Sequence, residues 1–225
     1  MNLMHPAPSP DPAEHGPPGA GARHPVRRLG ILGGSFDPIH VAHLISAEAV
    51  REALSLDLVL FAPVRQQPLK RSRVQTAPEH RVAMVQLAIA GNPYFALSRV
   101  DVDRQGPSYT VRTLELLQQE WSAPELRLWF IIGSDSLFTF PSWHDPAGIL
   151  AQARLAVVRR PGTQLDRTSL YNAVQGLESS IDWVDAPLID VSATDLRRRV
   201  AEGLSIRYRL PEAVGEYIET HGLYK

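Results

Sequence analysis

From Arg27 onward, apolar runs of strand character alternate with segments of helical period, and this alternation limits the possible folds more than any other feature. "RRLGIL", "LDLVLFAPV", "YFALSRVDV", "LRLWFIIG", "ARLAVVRRPG" and "SIDWVDAP" read as strands. "VAHLISAEAVREAL", "SYTVRTLELLQQEW", "VSATDLRRRVAEG" and "LPEAVGEYIETHG" read as helices, with apolar residues recurring on one face. "APEHRVAMVQLAIAG" is bounded as helices are, by Pro78 at its start and Gly91 at its stop. Strands that alternate with helices build parallel βαβ units with right-handed crossovers. The expected class is therefore α/β: a Rossmann-like, doubly wound, mainly parallel sheet with helices on both faces. No internal repeat interrupts the pattern, and the length suits one domain over residues 26–225.

Residues 1–25 stand apart. They are dense in Pro, Gly and Ala and lack an apolar stretch behind a basic start, so they do not read as a signal peptide. Too few side chains could be buried to offset ordering, and a disordered tail is expected. The net charge of -1 gives no field that would draw the chain to nucleic acid or to a membrane surface. No apolar run approaches the roughly 18 residues that span a bilayer. The sequence has no cysteine, which excludes disulfides and thiolate metal sites and suits a reducing, cytoplasmic setting. The oligomeric state stays open, a homo-oligomer among the options.

In parallel sheets of this type, ligands collect at the carboxyl ends of the strands, and that is where the unusual residues fall. "GGSFDPIH" follows the first strand, "APVRQQPLKR" the second, "GSDS" follows "LWFII", "RRPG" follows "LAVV", and "VSATDLR" follows "IDWVDA". One shared site at these ends is expected.

The stretch "LGILGGSFDPIHVAHL" (29–44) fits neither the P-loop pattern nor G-x-G-x-x-G. Gly33 and Gly34 allow a tight strand-to-helix turn, and Asp37-Pro38 suggests a second one. His40 and His43 stand three apart at the start of a helix, so they share a face. A helix N-terminus favours phosphate through its N–H groups and dipole, and two imidazoles there add donors. A capped helix with two solvated histidines is the plainer reading. A zinc pair lacks a third ligand in the sequence. In "VSATDLRRR" (191–199), hydroxyls again open a helix, and Arg197 follows one turn in, where a guanidinium can fork onto phosphate oxygens.

"GGSFDPIHVAHL" together with "VSATDLRRR" resembles the HxGH-type nucleotidyltransferases. "GPSYTVRTLELL", "IIGSDSLFTFPSWHDPAGIL", "VVRRPG" and "RYRLPEAVGEYI" narrow the resemblance to the bacterial nicotinate-nucleotide adenylyltransferase family, in that family's order and over about residues 28–225. The resemblance implies transfer of the adenylyl group of ATP to nicotinate mononucleotide, giving deamido-NAD and pyrophosphate, with Mg²⁺ carried on the ATP phosphates. It implies that His40 and His43 hold ATP phosphates and that Ser192, Thr194 and Arg197 grip the β and γ phosphates. Gly33, Gly34, Ser35 and Phe36 would meet the nucleotide through backbone, and Gly133 and Asp135 the adenosine ribose. The pyridine ring would stack on Trp143, with backbone amides of Thr110 and His144 facing its carboxylate. Lys70 and Arg160 would lie near the mononucleotide phosphate.

The chain departs from the family's pattern in several places. Ala42 replaces the glycine usual between the histidines, "RQQPLK" lacks the histidine usual before the lysine, Arg112 stands where an acid is frequent, and "VSAT" varies "ISST". The alternatives are a relative with another acceptor, such as nicotinamide mononucleotide or phosphopantetheine, or a module that senses ATP without turning it over.

Overall fold

The strands run Arg28–Gly34 (β1), Leu58–Pro63 (β2), Phe95–Leu97 (β3), Arg127–Gly133 (β4), Arg154–Arg159 (β5) and Ile181–Asp185 (β6). In the computed structural model, which describes residues 26–66, 76–159 and 166–225, they pair in parallel as one sheet in the order β3-β2-β1-β4-β5-β6. The helices are Val41–Ala53 (α1), Pro78–Ile89 (α2), Thr110–Glu120 (α3), Ser134–Thr139 (α4), Pro146–Gln152 (α5), Arg167–Ala173 (α6), Ala193–Ala201 (α7) and Glu212–Thr220 (α8). The α/β class and the doubly wound parallel sheet are as the alternation predicts. The strand order reverses between β1 and β4, which opens a crevice at their carboxyl ends.

Period-two alternation along buried strands sends side chains to two cores. Leu58 and Leu60 of β2 join one cluster with Leu29, Ile31, Phe130, Leu114 and Ile149. Val59 and Phe61 join the other, with Val50, Met84, Ile131, Leu196 and Val214. Each fully buried Leu or Phe side chain contributes about 1.5–3 kcal/mol through loss of apolar surface to water.

Two differences from the sequence reading have local causes. "YFALSRVDV" forms a strand only over Phe95–Leu97. Beyond it, the N–H of Ser98 makes one more bond, to Phe61 O at 2.9 Å, and the chain then turns on Arg99, whose carbonyl receives both Val102 and Asp103 N–H. The sequence reading assigns no helix to α4, α5 or α6. These have only 6 or 7 residues, too short to display a period. Two are set by caps: Asp145 accepts the Gly148 N–H ahead of Pro146, and Asp166 accepts the Ser169 N–H.

At the opposite, amino end of the sheet, three strands are tied by side chains. Trp129 Nε1 on β4 donates to Asp182 Oδ2 on β6 at 2.8 Å, and Arg154 on β5 pairs with both Asp182 oxygens at 2.6 and 2.9 Å. Arg28 lies over the Trp129 ring at 4.6 Å. Among the described residues, no helix is long and apolar enough to cross a membrane.

Candidate active site

A cavity of about 620 Å³ opens at the crevice between β1 and β4. Its walls come from segments distant in sequence: Gly33 and Gly34 at the end of β1 with Ser35 after it, Thr110 at the start of α3, Gly133 at the end of β4 with Asp135 in α4, and Trp143 with His144 before α5. His43 reaches into the same space from α1. These residues, expected from sequence to serve two different ligands, border one continuous space.

The two glycines sit where a side chain would be crowded. A Cβ on Gly33 would sit 3.1 Å from Phe130 Cζ, and one on Gly34 would sit 3.1 Å from the Phe36 ring. Their lack of side chain lets two aromatic rings close under the loop. Phe36 itself adopts φ 47, a left-handed conformation that costs a bulky residue about 1–3 kcal/mol. The residue is 2% exposed and does not line the cavity itself.

His40 is the N-cap of α1 and His43 the third residue of the helix. Their rings stack with centroids 3.7 Å apart and 25° between planes. The His40 backbone N–H donates to His43 Nδ1 at 3.2 Å. With Nδ1 accepting, the hydrogen of a neutral His43 resides on Nε2, so the far side of that ring is a donor. The edge of Phe36 holds the ring from another side, at 5.2 Å. A solvated pair is thereby replaced by an oriented one: His40 is 5% exposed.

Ser192 caps α7 by accepting the Asp195 N–H at 3.2 Å. One turn on, Arg197 Nη2 donates to Thr194 Oγ1 at 3.3 Å, and its Nη1 donates to the Asp37 carbonyl. Arg197 thus joins Thr194 to the loop that carries the histidines, although Ser192, Thr194, Arg197 and His40 do not line the cavity itself. Asp135 lies in the first turn of α4, whose N-cap is Gly133, so it is not the cap residue. Lys70 and Arg160 lie outside the described residues.

Trp143 does two things. Its ring packs edge-on against Phe130 at 6.1 Å and against Phe140 at 5.4 Å, and its remaining surface borders the cavity. His144 lies on Tyr109 with centroids 4.3 Å apart. Thr110 is the first residue of α3, where backbone N–H groups have no partner within the helix. The loop before it is firmly held. Ser108 N–H donates to Gln66 O at 3.0 Å, Ser108 Oγ accepts the Arg65 N–H at 3.1 Å, and Arg104 Nη1 donates to Pro107 O at 2.8 Å.

Sequence reasoning missed three polar residues around the site. Asp101, 2% exposed, receives Thr113 Oγ1 at 2.9 Å and Arg104 Nε at 2.8 Å. Burial pushes its carboxyl above the usual carboxylate range, and Arg104 opposes that push. Arg81 on α2 is fully buried among backbone carbonyls. Tyr224, next to the last residue, donates to Asp37 Oδ1 at 2.7 Å. Asp37 is thus engaged on its side chain by Tyr224 and on its carbonyl by Arg197.

Comparison with known proteins agrees with this geometry. Residues 31–199 match the model of the family described as cytidylyltransferase-like. A Thermomicrobium roseum protein named "Probable nicotinate-nucleotide adenylyltransferase" is 50% identical over 200 residues, covering 89% of this chain and 92% of its own. One of the same name from Roseiflexus sp. is 48% identical over 197 residues, covering 88% and 98%. Among solved structures, the Plasmodium falciparum nicotinic acid mononucleotide adenylyltransferase complexed with NaAD superposes with a TM-score of 0.71 at 18% identity, over 88% of this chain and 97% of that one. A Vibrio parahaemolyticus structure described as "a Putative Nicotinate-nucleotide Adenylyltransferase" gives 0.61 at 21% identity, over 88% and 95%. At those identities the structural likeness bears on the fold.

Proposed function

We infer that this chain, which belongs to the nicotinate-nucleotide adenylyltransferases within the cytidylyltransferase-like family, joins ATP to nicotinate mononucleotide, releasing pyrophosphate and nicotinate adenine dinucleotide. The observation that carries the reading is the oriented histidine pair at the N-terminus of α1, beside a cavity at the strand-order reversal.

The chemistry asks for alignment and charge stabilisation. An oxygen of the mononucleotide phosphate attacks the α-phosphorus of ATP, the bond from that phosphorus to the bridging oxygen breaks, and pyrophosphate departs with the bridging oxygen. The attacking phosphate is ionised at neutral pH and needs no general base. Negative charge grows on the α-phosphoryl oxygens and on the leaving group as the bond breaks. His43 Nε2–H, fixed by the contact of His40 with the other ring nitrogen, is suited to donate there. Arg197, Ser192 and Thr194 would take the β and γ phosphates. In this reading Arg197 exchanges or shares its Asp37 carbonyl partner for phosphate oxygen.

The ribose of ATP would lie against Gly133 and Asp135, and Gly33, Gly34, Ser35 and Phe36 would offer backbone to the nucleotide. The pyridine ring would lie on Trp143. The N–H groups at Thr110 and His144 would face a carboxylate, at the entries to α3 and α5. Lys70 and Arg160 remain the proposed cations for the mononucleotide phosphate.

Mg²⁺ fits as a passenger on ATP. It prefers oxygen ligands and keeps several waters. Asp37 is occupied by Tyr224, and among the described residues no group of three or more His, Cys, Asp or Glu side chains gathers. Phosphate oxygens and water would hold the ion, and the metal would offset charge on the triphosphate. We place the enzyme in the cytoplasm, in keeping with a chain that has no cysteine. The test is to incubate the protein with Mg-ATP and nicotinate mononucleotide and to identify both products by mass. Formation of the dinucleotide with one pyrophosphate per turnover supports the reading. ATP binding without either product would favour a sensing module.

A further inference from the structure

We propose that Arg81 and Tyr224 are positioning residues for adenylyl transfer: from beneath the cavity they hold the loop of residues 35–38 in the one conformation that presents the histidine pair to the triphosphate. The proposal rests on the adenylyltransferase reading.

Arg81 carries the first half of the argument. Its side chain is fully buried, yet it reaches four carbonyls from three separate segments. Nη1 donates to Ser35 O and to Val64 O, each at 2.7 Å, Nη2 donates to Arg65 O at 3.3 Å, and Nε donates to Thr76 O at 2.9 Å. Ser35 follows β1 and Val64 follows β2, so one planar guanidinium clips together the ends of two adjacent strands at the ligand-facing edge of the sheet. In a trans peptide the carbonyl and the next N–H point opposite ways. Fixing Ser35 O on Arg81 therefore turns the Phe36 N–H away from the buried guanidinium.

Tyr224 carries the second half. The chain ends beneath the same loop, and the tyrosine hydroxyl donates to Asp37 Oδ1 at 2.7 Å, while the Thr76 N–H lies 3.4 Å from Asp37 Oδ2. Burial and the neighbouring Asp37 carboxylate push the Tyr224 hydroxyl above the ordinary phenol range, so it stays a donor. Phe36, between Ser35 and Asp37, is the left-handed residue of the loop. Its backbone is therefore pinned on one side by Arg81 and on the other by Tyr224, with Arg197 on the Asp37 carbonyl. Three residues after Asp37 the chain enters α1 at His40. An unpinned loop would relax from the left-handed conformation and carry the entry of α1 with it.

Neither Arg81 nor Tyr224 borders the cavity, so their effect must pass through the loop. This separates the proposal from a general structural role. Releasing the loop should impair ATP and the chemical step. Release through Tyr224 should leave the mononucleotide pocket alone, because Trp143, His144 and Thr110 belong to other elements; Arg81 also holds Val64 and Arg65, next to the backbone that anchors Ser108 ahead of Thr110, so Tyr224 gives the cleaner separation.

The experiment uses Tyr224→Phe and Arg81→Lys in the full chain. Tyr224→Phe removes one oxygen and keeps the ring. Arg81→Lys keeps a cation that cannot span four carbonyls. For folded Tyr224→Phe we expect kcat to fall about 5- to 20-fold and the affinity for a non-hydrolysable α,β-methylene ATP to weaken about 5-fold, the size of one ordinary lost hydrogen bond. The KM for nicotinate mononucleotide should stay within about twofold, and Arg81→Lys should exceed these losses. If Arg81→Lys does not fold, Tyr224→Phe decides alone. Analogue binding and kcat both within twofold of wild type in folded Tyr224→Phe would overturn the proposal, as would an equal rise in both substrates' KM. A wild-type protein that binds the analogue but forms no dinucleotide would refute the function reading instead, and the binding comparison would still decide the role of the two residues.

Discussion

The backbone N–H of His40 donates to Nδ1 of His43 at 3.2 Å, and the two rings stack at 3.7 Å. The first histidine thus fixes the tautomer of the second. This relationship makes His43 a donor whose direction is set before substrate arrives, and such a donor costs no reorganisation as charge develops. His43→Ala should lower kcat on the order of 10²-fold or more, about 3 kcal/mol of transition-state stabilisation, and weaken ATP binding less. Steady-state kinetics on protein of unchanged circular dichroism checks this. A kcat near wild type would reduce His43 to an ordinary residue of α1.

Trp143 packs against Phe130 and Phe140 and also lines the cavity. Stacking of a base-like ring on an aromatic side chain is worth about 1–3 kcal/mol. Trp143→Ala should therefore raise the KM of the mononucleotide by roughly 5- to 100-fold and that of ATP by much less. A change confined to the ATP KM would show that the acceptor lies elsewhere.

Asp182 tests the fold rather than the site. Hydrogen bonds from Arg154, together with the Trp129 indole, hold its carboxyl below the usual aspartate range. A carboxyl depressed in the folded state stabilises the protein fully above its unfolded pKa of about 3.9, and that stabilisation is lost as pH falls through the folded value. The pair is partly solvated, which discounts it, so Asp182→Asn should cost about 1–2 kcal/mol at neutral pH. The gap between variant and wild type should close as pH drops below about 4. Urea melts at pH 7 and pH 3.5 measure this, and a gap independent of pH would contradict the assignment.

The sheet was legible because its strands are long apolar runs and its main helices carry a period. β3 was overread because the apolar character of "YFALSRVDV" persists past the point where Arg99 turns the chain. The cavity-facing residues on β1, α3 and β4 could be found from motifs at strand ends. Arg81 could not. In "PEHRVAM" it reads as a solvated helix residue, and its carbonyl partners at 35, 64, 65 and 76 are brought together only by the fold. Tyr224 was hidden for the same reason, 187 residues from Asp37. Groups that face ligand near a motif can be found in the sequence, whereas polar groups whose backbone or side-chain partners come from distant segments cannot.

Whether the entries to α3 and α5, around Thr110 and His144, receive a carboxylate is decided by comparing acceptors. With Mg-ATP saturating, kcat/KM should be measured for nicotinate mononucleotide and for nicotinamide mononucleotide on the same preparation. The account predicts a preference of at least about tenfold, or 1.4 kcal/mol, for the carboxylate, because the amide NH₂ would face backbone N–H donors unpaired. Equal values, or a preference for the amide, would contradict it.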